Sequence, residues 1–246
     1  MYLTTRALVV RVTDYNDRDC LLTLLTPENG KLTAKARGLR RKNSPLIAPC
    51  QLLAYGDFTL FEYRGSYTVN EAASVALFPG LRRDICKLSL GTYFAQVSEL
   101  LSQEDLPNPE VLSLTLNCLH MLTEDVPEEK VKAVFELRIA SLAGFLPDLS
   151  GCHGCGREEG ILFDISAGCL ECASCRSGFS GGIRMPVAPG TLDAMRYIIS
   201  CDSKRLFSFA LGRDNLLQLS QITEAYLTTQ LERGFSTLDF YKSLFV

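Results

Sequence analysis

Apolar and polar residues repeat at two different periods along the chain, and the change falls near residue 80. Before it, "RALVVRVTDY", "CLLTLLT" and "KLTAKAR" are short apolar or alternating runs rich in Val, Leu and Thr. Such runs predict strands, because successive side chains of a strand face opposite sides. The turn cluster "PENG" separates the second run from the third, which predicts a hairpin. "QLLAYGDFTLFEY" and "SYTVNEA" predict a second strand pair across "RG". After it, Ile85, Leu88, Phe94, Val97 and Leu101 recur at helical spacing behind Asp84. "NPEVLSLTLNCLHMLTED" and "PEEKVKAVFELRIASLAGF" read as two further helices, the latter with Pro127 and acids at its start. "PGTLDAMRYIIS", "SKRLFSFAL" and "RDNLLQLSQITEAYLTTQLERG" predict more helix, and "STLDFYKSLF" ends the chain.

Five strands joined by short turns, with no helix between them, predict a small barrel, and the five-stranded oligonucleotide-binding barrel is the natural candidate. The expected fold class is therefore α+β and multidomain. Residues 1–80 form an OB-fold barrel, and residues 81–246 form an all-α domain. Residues 150–186, rich in Gly and Cys, interrupt the helical pattern as an insert.

Charge sharpens this division. The chain is slightly acidic overall, with net charge −3. Residues 1–80 nevertheless carry ten Lys and Arg against seven acids, while the rest is acidic. The stretch "KLTAKARGLRRK" concentrates Lys31, Lys35, Arg37, Arg40, Arg41 and Lys42 without one acid. Read as a strand, it sends Leu32, Ala34 and Ala36 to the core, and Lys31, Thr33, Lys35 and Arg37 to the outer wall. Arg40, Arg41 and Lys42 then extend the cationic surface into a loop. A solvated edge strand would also place lysines outside. Continuation of one sign through the loop favours a polyanion partner, whose phosphates need cations but no base reading. Tyr2, Tyr15, Tyr55, Phe58, Tyr63 and Tyr67 are available for base stacking, although most aromatics of a small barrel belong to its core.

The insert holds Cys152, Cys155, Cys169, Cys172 and Cys175. Two CxxC pairs, Cys152/Cys155 and Cys172/Cys175, lie sixteen residues apart, the spacing of a four-thiolate zinc site. Gly154, Gly156 and Gly168 give the knuckles backbone freedom. One structural Zn2+ per chain is the expected cofactor. Cys169 also forms a CxxC with Cys172, so it competes with Cys175 as a ligand and opens an iron–sulfur alternative. That run lacks its fourth ligand, because position 179 is Phe. Cys20, Cys50, Cys86, Cys118 and Cys201 are expected to be small buried hydrophobes.

No phosphate-binding P-loop and no GxSxG elbow occurs, and His120 on an apolar helix reads as a packed histidine. The chain therefore reads as a binder, not an enzyme. No apolar run reaches the ~20 residues that cross a bilayer, and the N-terminus is unlike a signal peptide, so a cytoplasmic location is expected.

The order of these parts, with "GKLTAKARGLRRKNSPLIAPCQLL" in the barrel, two CxxC pairs inside a helical region and "LDFYKSLF" near the end, resembles the RecO family of bacterial recombination mediators over the whole chain. The resemblance implies binding of single- and double-stranded DNA, annealing of complementary strands without ATP, and nucleoid association. It implies work with RecR, capture of the C-terminal tail of single-strand-binding protein, and loading of RecA. By matching motif, Lys35, Arg37, Arg40, Arg41 and Lys42 are implied DNA contacts, and Cys152, Cys155, Cys172 and Cys175 the zinc ligands. Two other readings stay open on the residues alone: an RNA-binding accessory factor, and a protein-docking scaffold.

Overall fold

The computed structural model of the chain describes residues 1–158, 161–175 and 182–245. The parts of the expected insert at 159–160 and 176–181 lie outside the described residues. Two compact units form, Met1–Asp125 with Phe235–Val246, and Val126–Gly234.

In the first unit, β1 (Tyr2–Asp14), β2 (Cys20–Thr26), β3 (Gly30–Ala36), β4 (Tyr55–Tyr63) and β5 (Ser66–Ala76) close into a barrel in the order β1-β2-β3-β5-β4. The β3–β5 pair is parallel and the other pairs are antiparallel. β1 is long enough to serve both sides of the closure. Its first half pairs with β4 and its second half with β2, and a register shift between Val9 and Arg11 turns the strand. Alternation places Val9, Leu22, Leu24, Leu32, Ala34, Ala36, Phe58 and Leu60 in the barrel core.

The connections are not all short. Residues 37–54 form a long series of turns between β3 and β4. Leu39, Leu46, Cys50 and Ala54 from this segment enter the barrel core, so the loop is anchored by its own apolar residues. Backbone bonds from Arg41 to Gly38 (3.1 Å), Ser44 to Arg41 (3.0 Å) and Cys50 to Leu46 (3.0 Å) stiffen it.

Three helices complete this unit: α1 (Ile85–Leu101), α2 (Pro109–Thr123) and, from the chain end, α6 (Ser236–Ser243). Asp84 caps α1 by accepting from the amides of Cys86 and Lys87, and Asn108 caps α2 through Val111. α1 packs on β1, and buried Tyr93 meets Phe235 edge-on at 5.5 Å. Ile85, expected on the buried face of α1, is exposed. His120 is also exposed, contrary to its reading as a packed residue. The buried face of α2 runs through Val111, Leu114, Cys118 and Leu122, and His120 lies off it, 3.9 Å from Glu124.

The second unit contains α3 (Glu128–Leu142), α4 (Pro189–Ser200) and α5 (Arg213–Gln230), with a four-stranded sheet. Its core holds an ionic cluster. Lys132, almost fully buried, lies 3.0 Å from Glu136 and 2.9 Å from Glu224, and Thr223 donates to Glu136 at 2.8 Å. Burial pushes the Glu136 carboxyl up, against the pull of Lys132. The segment "SKRLFSFAL" is not the helix that its pattern predicts. Only a short 3-10 turn forms at Ser203–Arg205. The Lys130 ammonium bonds to the carbonyls of Phe207 (2.9 Å) and Phe209 (2.6 Å), so these groups are satisfied outside any helix.

Candidate nucleic-acid interface and metal centre

The strand reading of "KLTAKARGLRRK" places its apolar residues inside, and Leu32, Ala34 and Ala36 are buried. The six cations then separate into groups that the linear sequence does not reveal. Lys31 leaves the surface set. Its ammonium donates to the carbonyl of Glu99 at 3.2 Å, and its amide to that of Gln103 at 2.9 Å. It thus neutralises the negative C-terminal end of α1. Gly30 permits this approach. It has φ +63°, and a Cβ there would collide with the carbonyl oxygens of Gln103 and Leu106.

Lys35 and Arg40 remain on the wall, but each meets an acid from the β1–β2 connection or its edge. Lys35 lies 3.2 Å from Asp19 and 4.2 Å from the Tyr15 ring centre. Arg40 lies 2.9 Å from Asp14, with both side chains well exposed. Asp19 also orders the loop. It accepts from the Gly38 amide at 2.8 Å and from Asn16 at 3.1 Å. These bonds, the Gly38 amide first, hold its carboxyl down at about 2, with Lys35 adding to them against a small opposing effect of burial. Arg37, Arg41 and Lys42 are exposed and form no ion pair among the described residues. Arg37 and Arg41 border one depression of about 470 Å³ with Asn43, Ser44, Val69 and Asn70.

The aromatics divide as sharply. Phe58 is core, Tyr67 packs against the core, and Tyr55 is half-buried. Tyr2, Tyr15 and Tyr63 are exposed, and so is Phe61, which the sequence reading did not single out. Phe61 follows the core residue Leu60 in β4, so strand alternation turns it outward.

In the second unit, β6 (Asp148–Cys152), β7 (Ile161–Asp164), β8 (Cys169–Cys172) and β9 (Arg184–Pro186) form a sheet in the order β6-β8-β7-β9. The first knuckle follows β6 and the second follows β8. Each is closed by a tight turn, from the Cys155 amide to the Cys152 carbonyl (3.2 Å) and from Cys175 to Cys172 (3.1 Å). The sulfurs of Cys152, Cys155, Cys172 and Cys175 all lie within 4.8 Å of one another. The Cys155–Cys172 separation is 3.7 Å. A tetrahedral thiolate site with metal–sulfur bonds of about 2.3 Å has edges of about 3.8 Å, so the donor set fits a single metal ion.

Electrostatics agree with this fit. The Cys172 amide donates to the Cys152 sulfur at 3.2 Å, and such backbone bonds pull its thiol down to about 6. Backbone bonding, first from the Cys175 amide, also lowers Cys172. Hydrogen bonding to Cys155 and then Cys172 pushes Cys175 up to about 12. Four sulfurs this close cannot all ionise without a cation between them. Cys169 is not among the four. It lies on β8, and burial raises its thiol. Gly156 and Gly168 take positive φ, while Gly154 is needed for space, because a Cβ there would lie 3.0 Å from that of Cys175.

The sheet is held to α5. The Phe163 ring meets Tyr226 at 5.2 Å, and Gln230 donates to the Ile165 carbonyl at 2.9 Å. Nearly buried Arg184 ties the strands together through Glu171 (2.7 Å) and Asp164 (3.3 Å). Of the other cysteines, Cys20, Cys50 and Cys118 are buried as expected, whereas Cys86 and Cys201 are only partly covered. Among the described residues, no helix is long and apolar enough to cross a membrane.

Two family models match the chain in succession. The one described as "Recombination protein O N terminal" covers residues 1–78, and "Recombination protein O C terminal" covers residues 82–239. The chain is 30% identical over 246 residues to a protein called DNA repair protein RecO from Acetivibrio thermocellus, covering 99% of this chain and 97% of that protein. It is 29% identical to a protein of the same name from Alkaliphilus metalliredigens, covering 99% and 100%. The counterpart from Bacillus subtilis is 26% identical, over 92% of this chain and 88% of its own length. The matches run through barrel, helices and cysteine module without a large gap, and the chain belongs to the RecO family of DNA repair proteins.

Proposed function

We propose that this protein is a recombination mediator that acts by binding. It anneals complementary DNA strands without ATP, and with RecR it helps load RecA onto DNA covered by single-strand-binding protein. The carrying observation is the set of exposed, uncompensated cations Arg37, Arg41 and Lys42, held on a loop whose other side is buried in the barrel. Cations fixed in this way can neutralise phosphates at little cost in ordering. Exposed Arg40 and half-buried Lys35 flank this surface, where Asp14 and Asp19 compete with phosphate for them. Lys31, bonded to α1, stabilises the hairpin that carries the surface.

The four cysteines hold one Zn2+, the ion that all-thiolate tetrahedral sites most commonly take in proteins of this kind of spacing. Its role is structural, since four protein sulfurs fill the coordination shell and leave no position for a reacting group. The protein works in the cytoplasm on the nucleoid, and it engages the tail of single-strand-binding protein.

The test is annealing of complementary strands precoated with the cognate single-strand-binding protein. Acceleration without ATP, lost when Arg37 and Arg41 are changed to Glu, is the expected result. Equal annealing by the parent and that variant would refute the reading.

A further inference from the structure

The barrel register brings two exposed rings beside the cationic loop. Tyr2 of β1 pairs with Phe61 of β4, Phe61 with Thr68 of β5, and Thr68 with Lys35 of β3. All four stand in one row across the outer wall. The neighbouring residues Leu60, Val69, Ala34 and Ala36 point into the core. The row spans three interstrand steps, roughly 14 Å. The Tyr2 and Phe61 ring centres are 5.3 Å apart at a tilt of 56°, and the two residues are 60% and 40% exposed. Beside them lies a depression of about 330 Å³, bordered by Arg37, Thr68, Val69 and Asn70. Arg37, Val69 and Asn70 also border the larger depression that reaches Arg41. One trough thus runs from a pair of aromatic faces, past one guanidinium, to a second.

An aromatic pair of this size left in water is best matched to a partner that is itself flat, apolar on its faces and negatively charged along its backbone. Unpaired nucleobases have that chemistry. In a duplex the same faces are covered by their neighbours, so the rings gain nothing from it. We propose that Tyr2 and Phe61 are a base-stacking platform that makes the barrel selective for single strands, with Arg37 and Arg41 holding the phosphates along the trough. This inference rests on the DNA-binding reading above. It adds the residues that separate single from double strands, and it places them on the β1–β4 wall.

The experiment compares binding of the full-length protein to an oligothymidine strand and to a duplex of equal length, by fluorescence anisotropy. Three variants are used: Tyr2→Leu with Phe61→Leu, Arg37→Glu with Arg41→Glu, and Phe61→Trp. The double leucine change keeps apolar surface but removes the π-faces. It should weaken single-strand binding by about 5- to 100-fold, the usual worth of one stacked base. Duplex affinity and the salt dependence should not change, because no charge is lost. The chain contains no Trp, so Phe61→Trp supplies a single reporter. Its emission should be quenched by the single strand and not by the duplex. Thermal unfolding checks that the variants are folded, and the Trp reporter keeps the test decisive if the leucine pair destabilises the barrel. Equal losses on both ligands, no loss on either, or an unquenched Trp would overturn the platform. If the arginine reversal still abolishes binding in those cases, the DNA-binding reading survives. If the arginine reversal leaves both affinities intact, that reading falls as well.

Discussion

Replacing Asp14 by Asn should tighten binding to single-stranded DNA and steepen its dependence on salt. Asp14 lies 2.9 Å from Arg40, and both side chains are largely exposed. An exposed pair of this kind contributes at most ~1 kcal/mol to stability, so its loss should leave folding nearly unchanged. Asn keeps the shape of the side chain and the oxygen that the Cys20 thiol faces at 3.6 Å. In the parent, Arg37, Arg41 and Lys42 are the uncompensated cations of the basic stretch. Three phosphate contacts give a log–log slope of about −2.1 on single strands, and a fourth from freed Arg40 gives about −2.8. Raising salt from about 50 to about 200 mM should therefore cost the parent about 20-fold in affinity and the variant about 50-fold. Anisotropy titrations over that range measure both slopes. Adding Arg40→Gln to Asp14→Asn should return the slope to the parent value, which separates a local contact from a general change in charge. A slope unmoved by Asp14→Asn would refute the idea that this carboxylate competes with phosphate. A parent slope near zero would remove the electrostatic account of the whole stretch.

Lys132→Met should destabilise the second unit by about 3–5 kcal/mol, because it takes the counter-ion from the buried Glu136 carboxyl, and Glu136→Gln added to it should recover much of the loss; urea unfolding measures this, and a loss below ~1 kcal/mol would contradict the buried-pair argument. The Asp19 carboxyl, held at about 2 against an ordinary 3.8, should contribute stability that is complete above its unfolded value and is lost as pH falls toward 2. Asp19→Asn should flatten that acid limb, and identical acid titrations of parent and variant would show that the Gly38 bond does not matter. Cys172→Ser should lower the metal content, expected to be one zinc per chain, and reduce thermal stability while sparing DNA affinity. Elemental analysis and binding titrations check both halves, and a collapse of affinity in folded protein would move the metal into the interface.

Much of the fold was legible because its signals are local. Alternation in "KLTAKAR" put Leu32, Ala34 and Ala36 inside, and they are buried. Asp84 marked the start of a helix and does cap α1. The CxxC spacing pointed to four sulfurs that the fold brings together. The misreadings came where a distant partner overrides a local pattern. "SKRLFSFAL" has helical periodicity, yet Lys130, far away in the chain, takes two of its carbonyls. The loop at 37–54 lacks regular periodicity, so its buried Leu39 and Leu46 gave no sign of entering a core.

The sequence by itself determined which elements form, which face of each is apolar, and where a thiolate cluster can close. All three depend on neighbours within a few positions, where chain geometry fixes the spacing. Only the tertiary structure decided which charges and rings are free to act. Lys31 is removed by a carbonyl 68 positions away, and Arg40 is shared with an acid 26 positions away. Barrel closure aligns Tyr2 with Phe61, and the second knuckle brings in Cys175, to which Cys169 had been the alternative. Coulombic and hydrogen-bond energies depend on distance through space, which the order of residues does not specify until the chain has folded.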